Sequence, residues 1–175
     1  MKLVRFERFT WNLDKFGAVP RAAIDPHYRV RVAEEDEHAA ARTVVQTAFA
    51  LDPQWGDTYK ILRAVFEEQI EAENAAATLR YLVVTHGSRI IGASIMGTNP
   101  GAANHLVSGP CILNEYRNRG LATALLYESL AALKQAGIPR AAGVTKAGTL
   151  AAKFLYRKFG SAVEPYEPEP ELAAA

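Results

Sequence analysis

The sequence predicts an α/β (α+β) domain on three patterns: short β-rich apolar runs, longer segments with apolar residues three and four apart, and turns marked by glycine or proline between them. Its 175 residues, 49% hydrophobic and 22% charged, suit one domain with a buried core. Residues 1–27 mix Phe6, Phe9, Trp11 and Phe16 with charges and carry Pro20 and Pro26, which reads as an ordered extension rather than a linker. Residues 28–32 alternate as Y-R-V-R-V, a strand with one buried face, and the acids of 34–37 load the start of a helix running to about Leu51. The segment 52–58 has turn chemistry, with Asp57 or Thr58 placed to cap a second helix carrying Ile61, Leu62, Val65, Phe66 and Ile70. Residues 79–85 and 89–98 read as a hairpin around His86-Gly87-Ser88, followed by a turn at Asn99-Pro100-Gly101. A third strand is expected over 105–113, bulged or splayed at Gly109-Pro110 because proline cannot donate to a ladder. Ala122, Leu125, Leu126, Leu130 and Leu133 form one helical stripe, closed by Gly137 with Pro139 beyond it. Residues 140–145 read as a short strand, 149–159 as a final helix and 161–166 as a last short strand; the Glu, Pro and Ala composition of 164–175 reads as a disordered tail.

Composition narrows the partners. A formal charge of +1 gives no global reason to expect a nucleic acid or an anionic membrane, so any anion site is local. The single cysteine, Cys111, argues against a disulfide framework and against a thiolate metal cluster, and no metal is expected. No signal-peptide core follows the first charges and no apolar run reaches membrane-spanning length, so the expectation is a cytoplasmic protein.

The strongest local signal is Arg117-Asn118-Arg119-Gly120-Leu121-Ala122, between a strand and a long helix. A helix start leaves about four backbone N–H groups unpaired, normally met by a capping side chain or acids in the first turn. Here Leu121, Ala122 and Thr123 bring no acid, two arginines stand just before, and Gly120 and Ala122 keep the approach open, which makes the segment a candidate phosphate cradle. Taken alone it reads equally as a surface arginine loop with a glycine turn. Thr149, Ala152, Tyr156 and Phe159 share one helical stripe, so Tyr156 stands beside small neighbours, either at a groove or as an aromatic at the core edge.

A strand, Arg-x-x-Gly-x-Ala, an amphipathic helix, a strand and then a helix with Tyr-Arg-Lys-Phe-Gly follow one another in the order of the GNAT (GCN5-related) N-acetyltransferases, and the chain resembles that family over 28–163, most specifically from His105 to Gly160. The resemblance implies a mixed, mostly antiparallel central sheet flanked by helices, with the splayed strand at the site of CoA. It implies acetyl-CoA as co-substrate, its pyrophosphate on the amides of Arg117, Asn118, Arg119, Gly120, Leu121, Ala122 and Thr123, and its pantetheine beside Cys111, Ile112 and Leu113 and near Thr149. Tyr156 then protonates the leaving thiolate, and an amide near Ile112 serves the oxyanion.

The acceptor is expected to be a primary amine on a small molecule or peptide. Glu115, His105 and Glu68 are the candidate bases, with Glu115 preferred as a catalytic residue. Trp55, flanked by Asp52 and Asp57, is the candidate acceptor contact. A lone cysteine in an apolar strand reads as core rather than nucleophile. Thr149 stands where the family commonly has asparagine, and Ser161 where phenylalanine is usual. Little chain is left after the last helix for the family's final hairpin, which leaves the N-terminal extension or a second subunit, as in a homodimer, to complete the acceptor wall. The alternative function is a non-catalytic acyl-CoA-binding sensor or interaction module of the same fold.

Overall fold

Apolar runs of strand length, set between helices with one apolar face, leave two sheets that bury against the helices. The computed structural model describes residues 4–18, 21, 23–56 and 58–167. Its elements are β1 (Phe6–Asn12), β2 (Tyr28–Val32), α1 (His38–Ala50), α2 (Thr58–Ala75), β3 (Leu79–His86), β4 (Arg89–Gly97), β5 (Cys111–Ile112), α3 (Leu121–Gln135), β6 (Arg140–Lys146) and β7 (Ala162–Tyr166). Two antiparallel sheets result, one in the order β2-β3-β4-β5 and the other β6-β1-β7.

The β3–β4 hairpin turns at Gly87, whose φ of 60° suits glycine. Leu82, Val83, Val84, Ile91, Ala93, Ile95 and Met96 are buried with no alternation, so both faces of the hairpin are covered, and α1 and α3 pack on it. Helix α3 buries Leu121, Leu125, Leu126, Leu130 and Leu133 and ends at Gly137 (φ 89°), where Ile138 N–H bonds Leu133 O at 3.1 Å.

The two sheets are stitched at one end and apart at the other. The amides of His105 and Leu106 both donate to Ala142 O, at 2.8 and 3.0 Å, while Ala142 N–H donates to His105 Nδ1 at 3.0 Å. Further along, among the described residues, Cys111 and Ile112 pair only with β4, and β6 only with β1. The third strand expected over 105–113 is therefore reduced to Cys111–Ile112, because Gly109 turns at φ 65° and Pro110 cannot donate. The gap between β5 and β6 is the splay.

Several expectations change. Residues expected in an extension form β1, the middle strand of its sheet, paired with β6 from Phe6↔Lys146 to Asn12↔Arg140. Glu164, Pro165 and Tyr166, expected in a disordered tail, pair with β1 in β7, and Arg8 pairs with the Glu164 carboxylate and lies 5.7 Å from the Tyr166 ring. Backbone pairing overrides a polar, proline-bearing composition there; the rest of that tail, 168–175, lies outside the described residues. The helix expected over 149–159 is a wide π-type turn, Ala151–Leu155, with Tyr156 N–H bonded to Ala151 O at 2.8 Å, then a 3-10 turn, Lys158–Gly160, in which Phe159 has φ 64°. Asp57, one of the expected caps of α2, lies outside the described residues.

Candidate functional site

The start of α3 is bare. Gly120 precedes it in the left-handed region at φ 76°, no side chain caps it, and its first turn carries no acid. Asn118 is also left-handed, at φ 63°, so the loop reverses sharply to aim the helix N-terminus. Among the described residues, chain neighbours apart, nothing lies within 4 Å of where a Cβ on Gly120 would stand. The positive end of a macrodipole thus opens into free space.

The two arginines face elsewhere. Arg117 spans from β5 to the end of α1: Nε donates to Ile112 O at 3.3 Å, Nη2 to Ala48 O at 3.4 Å, and Nη1 lies 3.6 Å from Asp52 Oδ2. Arg119 bonds the Tyr28 hydroxyl and Glu115 O and lies 5.4 Å from the Tyr116 ring centre. Both hold the loop in place, which leaves anion binding to the backbone amides.

A cleft of about 490 Å³ runs from this helix start through the splay to the segment 52–55. Of the residues expected to hold a donor, Cys111, Ile112, Arg117, Asn118, Gly120, Leu121, Ala122, Thr123 and Thr149 line it, while Leu113 and Arg119 do not. Leu113 N–H is used by Ile91 O at 2.9 Å; by strand alternation the Ile112 amide faces the open edge. Thr149 is 2% exposed, with its hydroxyl donating to Lys146 O at 2.9 Å and accepting from Ala152 N–H at 3.2 Å, so it caps the irregular turn.

Tyr156 lines the cleft with its hydroxyl against Gly109; a Cβ on that glycine would lie 1.8 Å from the phenol oxygen. Burial, and secondarily Cys111, raise the Tyr156 pKa, so the group is a protonated donor. Its ring is held edge-on by Phe9 at 5.4 Å and Trp11 at 5.9 Å, and Trp11 Nε1 donates to Lys158 O at 2.8 Å. No local motif points to these β1 contacts, although Phe9-Thr10-Trp11 carries the alternation of a strand. The Cys111 thiol is buried and pushed up to about 12 by burial, which keeps it protonated and disfavours it as a nucleophile.

At the other end Trp55 lines the cleft, 6% exposed, edge-on to Phe49 at 4.8 Å. Gln54 ties its segment across the splay: its carbonyl accepts from Lys146 Nζ at 2.6 Å and its Oε1 from Leu150 N–H at 3.1 Å. None of the expected bases reaches the cleft. Glu115 is exposed and bonded to Arg89 at 3.1 Å, and its own amide, then Arg89, lowers its pKa. His105 is the stitch between the sheets, with Nε2 3.0 Å from Asn99 O and Nδ1 accepting from Ala142 N–H; burial lowers its pKa. Glu68 is exposed on α2. Among the described residues lining the cleft, Asp52 is the only carboxylate. No group of three or more His, Cys, Asp or Glu among the described residues is arranged to hold a metal, and no helix is long and apolar enough to cross a membrane.

Solved structures share this architecture. A GCN5-related N-acetyltransferase from Sphaerobacter thermophilus aligns over 94% of this chain and 50% of its own at 21% identity, TM-score 0.60. One from Kribbella flavida aligns over 98% and 62% at 13% identity, TM-score 0.56. A tandem GNAT protein from the clavulanic acid biosynthesis pathway aligns over 97% and 55% at 14% identity, TM-score 0.58. The chain thus spans between half and two thirds of the length of these structures, and identities this low carry the fold alone. No curated protein matches the sequence. The family model for the acetyltransferase (GNAT) family matches residues 42–161. That match takes in most of α1, both strands of the central hairpin, the loop before α3 and Tyr156, and the chain therefore belongs to the acetyltransferase (GNAT) family.

Proposed function

We propose that the chain transfers an acetyl group from acetyl-CoA to a primary amine on a small molecule or peptide. The observation that carries this reading is the uncapped start of α3 at one end of a cleft whose middle holds the Tyr156 hydroxyl, between unpaired edges of β5 and β6. The first amides of α3 hold the pyrophosphate. The free edge of Cys111–Ile112 accepts the pantetheine as an added strand, and the Ile112 amide faces the thioester oxygen.

The neutral amine attacks the thioester carbonyl; the C–N bond forms, the C–S bond breaks, and the thiolate takes its proton from Tyr156. Because Asp52 is engaged by Arg117, the ammonium proton leaves through water rather than to a dedicated base. A second reading, donor binding without transfer, draws on the absence of Glu115, His105 and Glu68 from the cleft. Thiol release on a panel of amines decides between them. Transfer requires acceptor-dependent CoA release that falls sharply in Tyr156→Phe; tight acetyl-CoA binding with no release on any amine establishes the sensor.

A further inference from the structure

A second cavity, of about 310 Å³, lies between α1 and α2 and meets the first at Phe66 and Ser108, which line both. Ser108 is buried: its hydroxyl accepts from Ile95 N–H at 2.9 Å and donates to the carbonyl of Gly109, the residue against which the Tyr156 hydroxyl sits, at 2.8 Å. On the proposed function, which places the donor along the start of α3, the cavity abuts the thioester from the side of α1 and α2. Val45, Ile70, Ile95 and Val107 give it apolar walls.

Arg42 supplies its charge. This half-buried side chain lines the cavity, and its Nε donates to the buried Tyr81 hydroxyl at 2.6 Å. Its guanidinium carbon lies 5.8 Å from the Tyr81 ring centre. Among the described residues it has no carboxylate partner. An arginine oriented through Nε, with its Nη groups uncommitted, is pre-organised for bidentate capture of a carboxylate. Other charges on the lining are Arg63, Glu67 and Glu71; Arg63 and Glu67 neutralise each other in an exposed pair at 3.1 Å.

We infer that this cavity is the acceptor site and that it takes a small amine bearing a carboxylate, of the amino-acid or short-peptide class, with Arg42 on the carboxylate and the amine directed to Ser108. This rests on the acetyltransferase reading and names its substrate class. In the step it serves, the acceptor nitrogen gains the acetyl carbon and releases a proton to water, while CoA leaves as the thiol.

The test compares amino acids and dipeptides with their C-terminal amides at saturating acetyl-CoA, in the wild type and in Arg42→Gln and Tyr81→Phe. The carboxylates should be preferred, Arg42→Gln should raise their KM by at least about tenfold and abolish the preference for acid over amide, and Tyr81→Phe should do so in part. Donor affinity measured by calorimetry should stay unchanged in both variants, which also shows that they fold. Equal use of acids and amides, turnover confined to amines without a carboxylate, or an unchanged KM in folded Arg42→Gln would each overturn the inference. Acetyl-CoA binding with no turnover on any amine, or no acetyl-CoA binding to the wild type, overturns the acetyltransferase reading itself.

Discussion

Two helix starts in this chain solve the same problem in opposite ways. The chain enters α1 through a short 3-10 turn, Glu35–Glu37, which Glu34 and Glu37 close as a capping box, with Glu34 N–H bonded to Glu37 Oε2 at 2.8 Å; Arg31 braces the Glu37 carboxylate through contacts of 2.6 and 2.7 Å. Before α3 there is no cap and no acid, and Gly120 faces open space. The first start is closed by the chain's own carboxylates; the second is built to be closed by someone else's anion. Leaving it bare costs stability in the free protein, so the difference is best explained by a ligand.

The sharpest break of that contrast is Gly120→Val, which places a β-branched residue at φ 76° and covers the amides; acetyl-CoA affinity measured by calorimetry should fall by at least about a hundredfold. Tyr156→Phe separates binding from chemistry: kcat, followed by thiol release, should drop by about 10²-fold while donor affinity holds. Thr123→Glu gives the start of α3 the kind of acid carried by the turn that leads into α1. Donor affinity should weaken at least about tenfold while the melting temperature of the free protein rises by about 1–4 °C.

The smallest effect belongs to the capped start. Glu37→Gln should lower the melting temperature by about 1–3 °C at neutral pH and leave donor affinity alone. The Glu37 carboxyl is lowered to about 2, chiefly by its bond to Arg31. A depressed carboxyl stabilises the fold above its ordinary value of 4.5 and loses that contribution as pH falls through about 2, so the gap between wild type and variant should close over that range. Melting curves across pH check the sign.

Much of this contrast was legible in sequence, since acids at 34–37 and their absence at 121–124 are local facts, as are the apolar stripe of α3 and the breaking of the third strand at Gly109-Pro110. What could not be read is long-range. The placing of β1 between β6 and β7 depends on pairing across most of the chain, and with it came Phe9 and Trp11 around Tyr156. The engagement of Arg117 with Asp52 and Ala48, and the tether from Gln54 to Lys146, link residues far apart in sequence, so no local motif announces them. In sequence His105 is a candidate base because its residue type allows it; only the sheet seam shows both ring nitrogens committed.

The central claim is that the bare start of α3 is a phosphate site, and the direct measurement is a calorimetric titration of acetyl-CoA into the wild type and Thr123→Glu. The account predicts micromolar binding to the wild type and at least about tenfold weaker binding to a variant that melts no lower. Equal affinity in the two proteins, or no binding to the wild type, would contradict it.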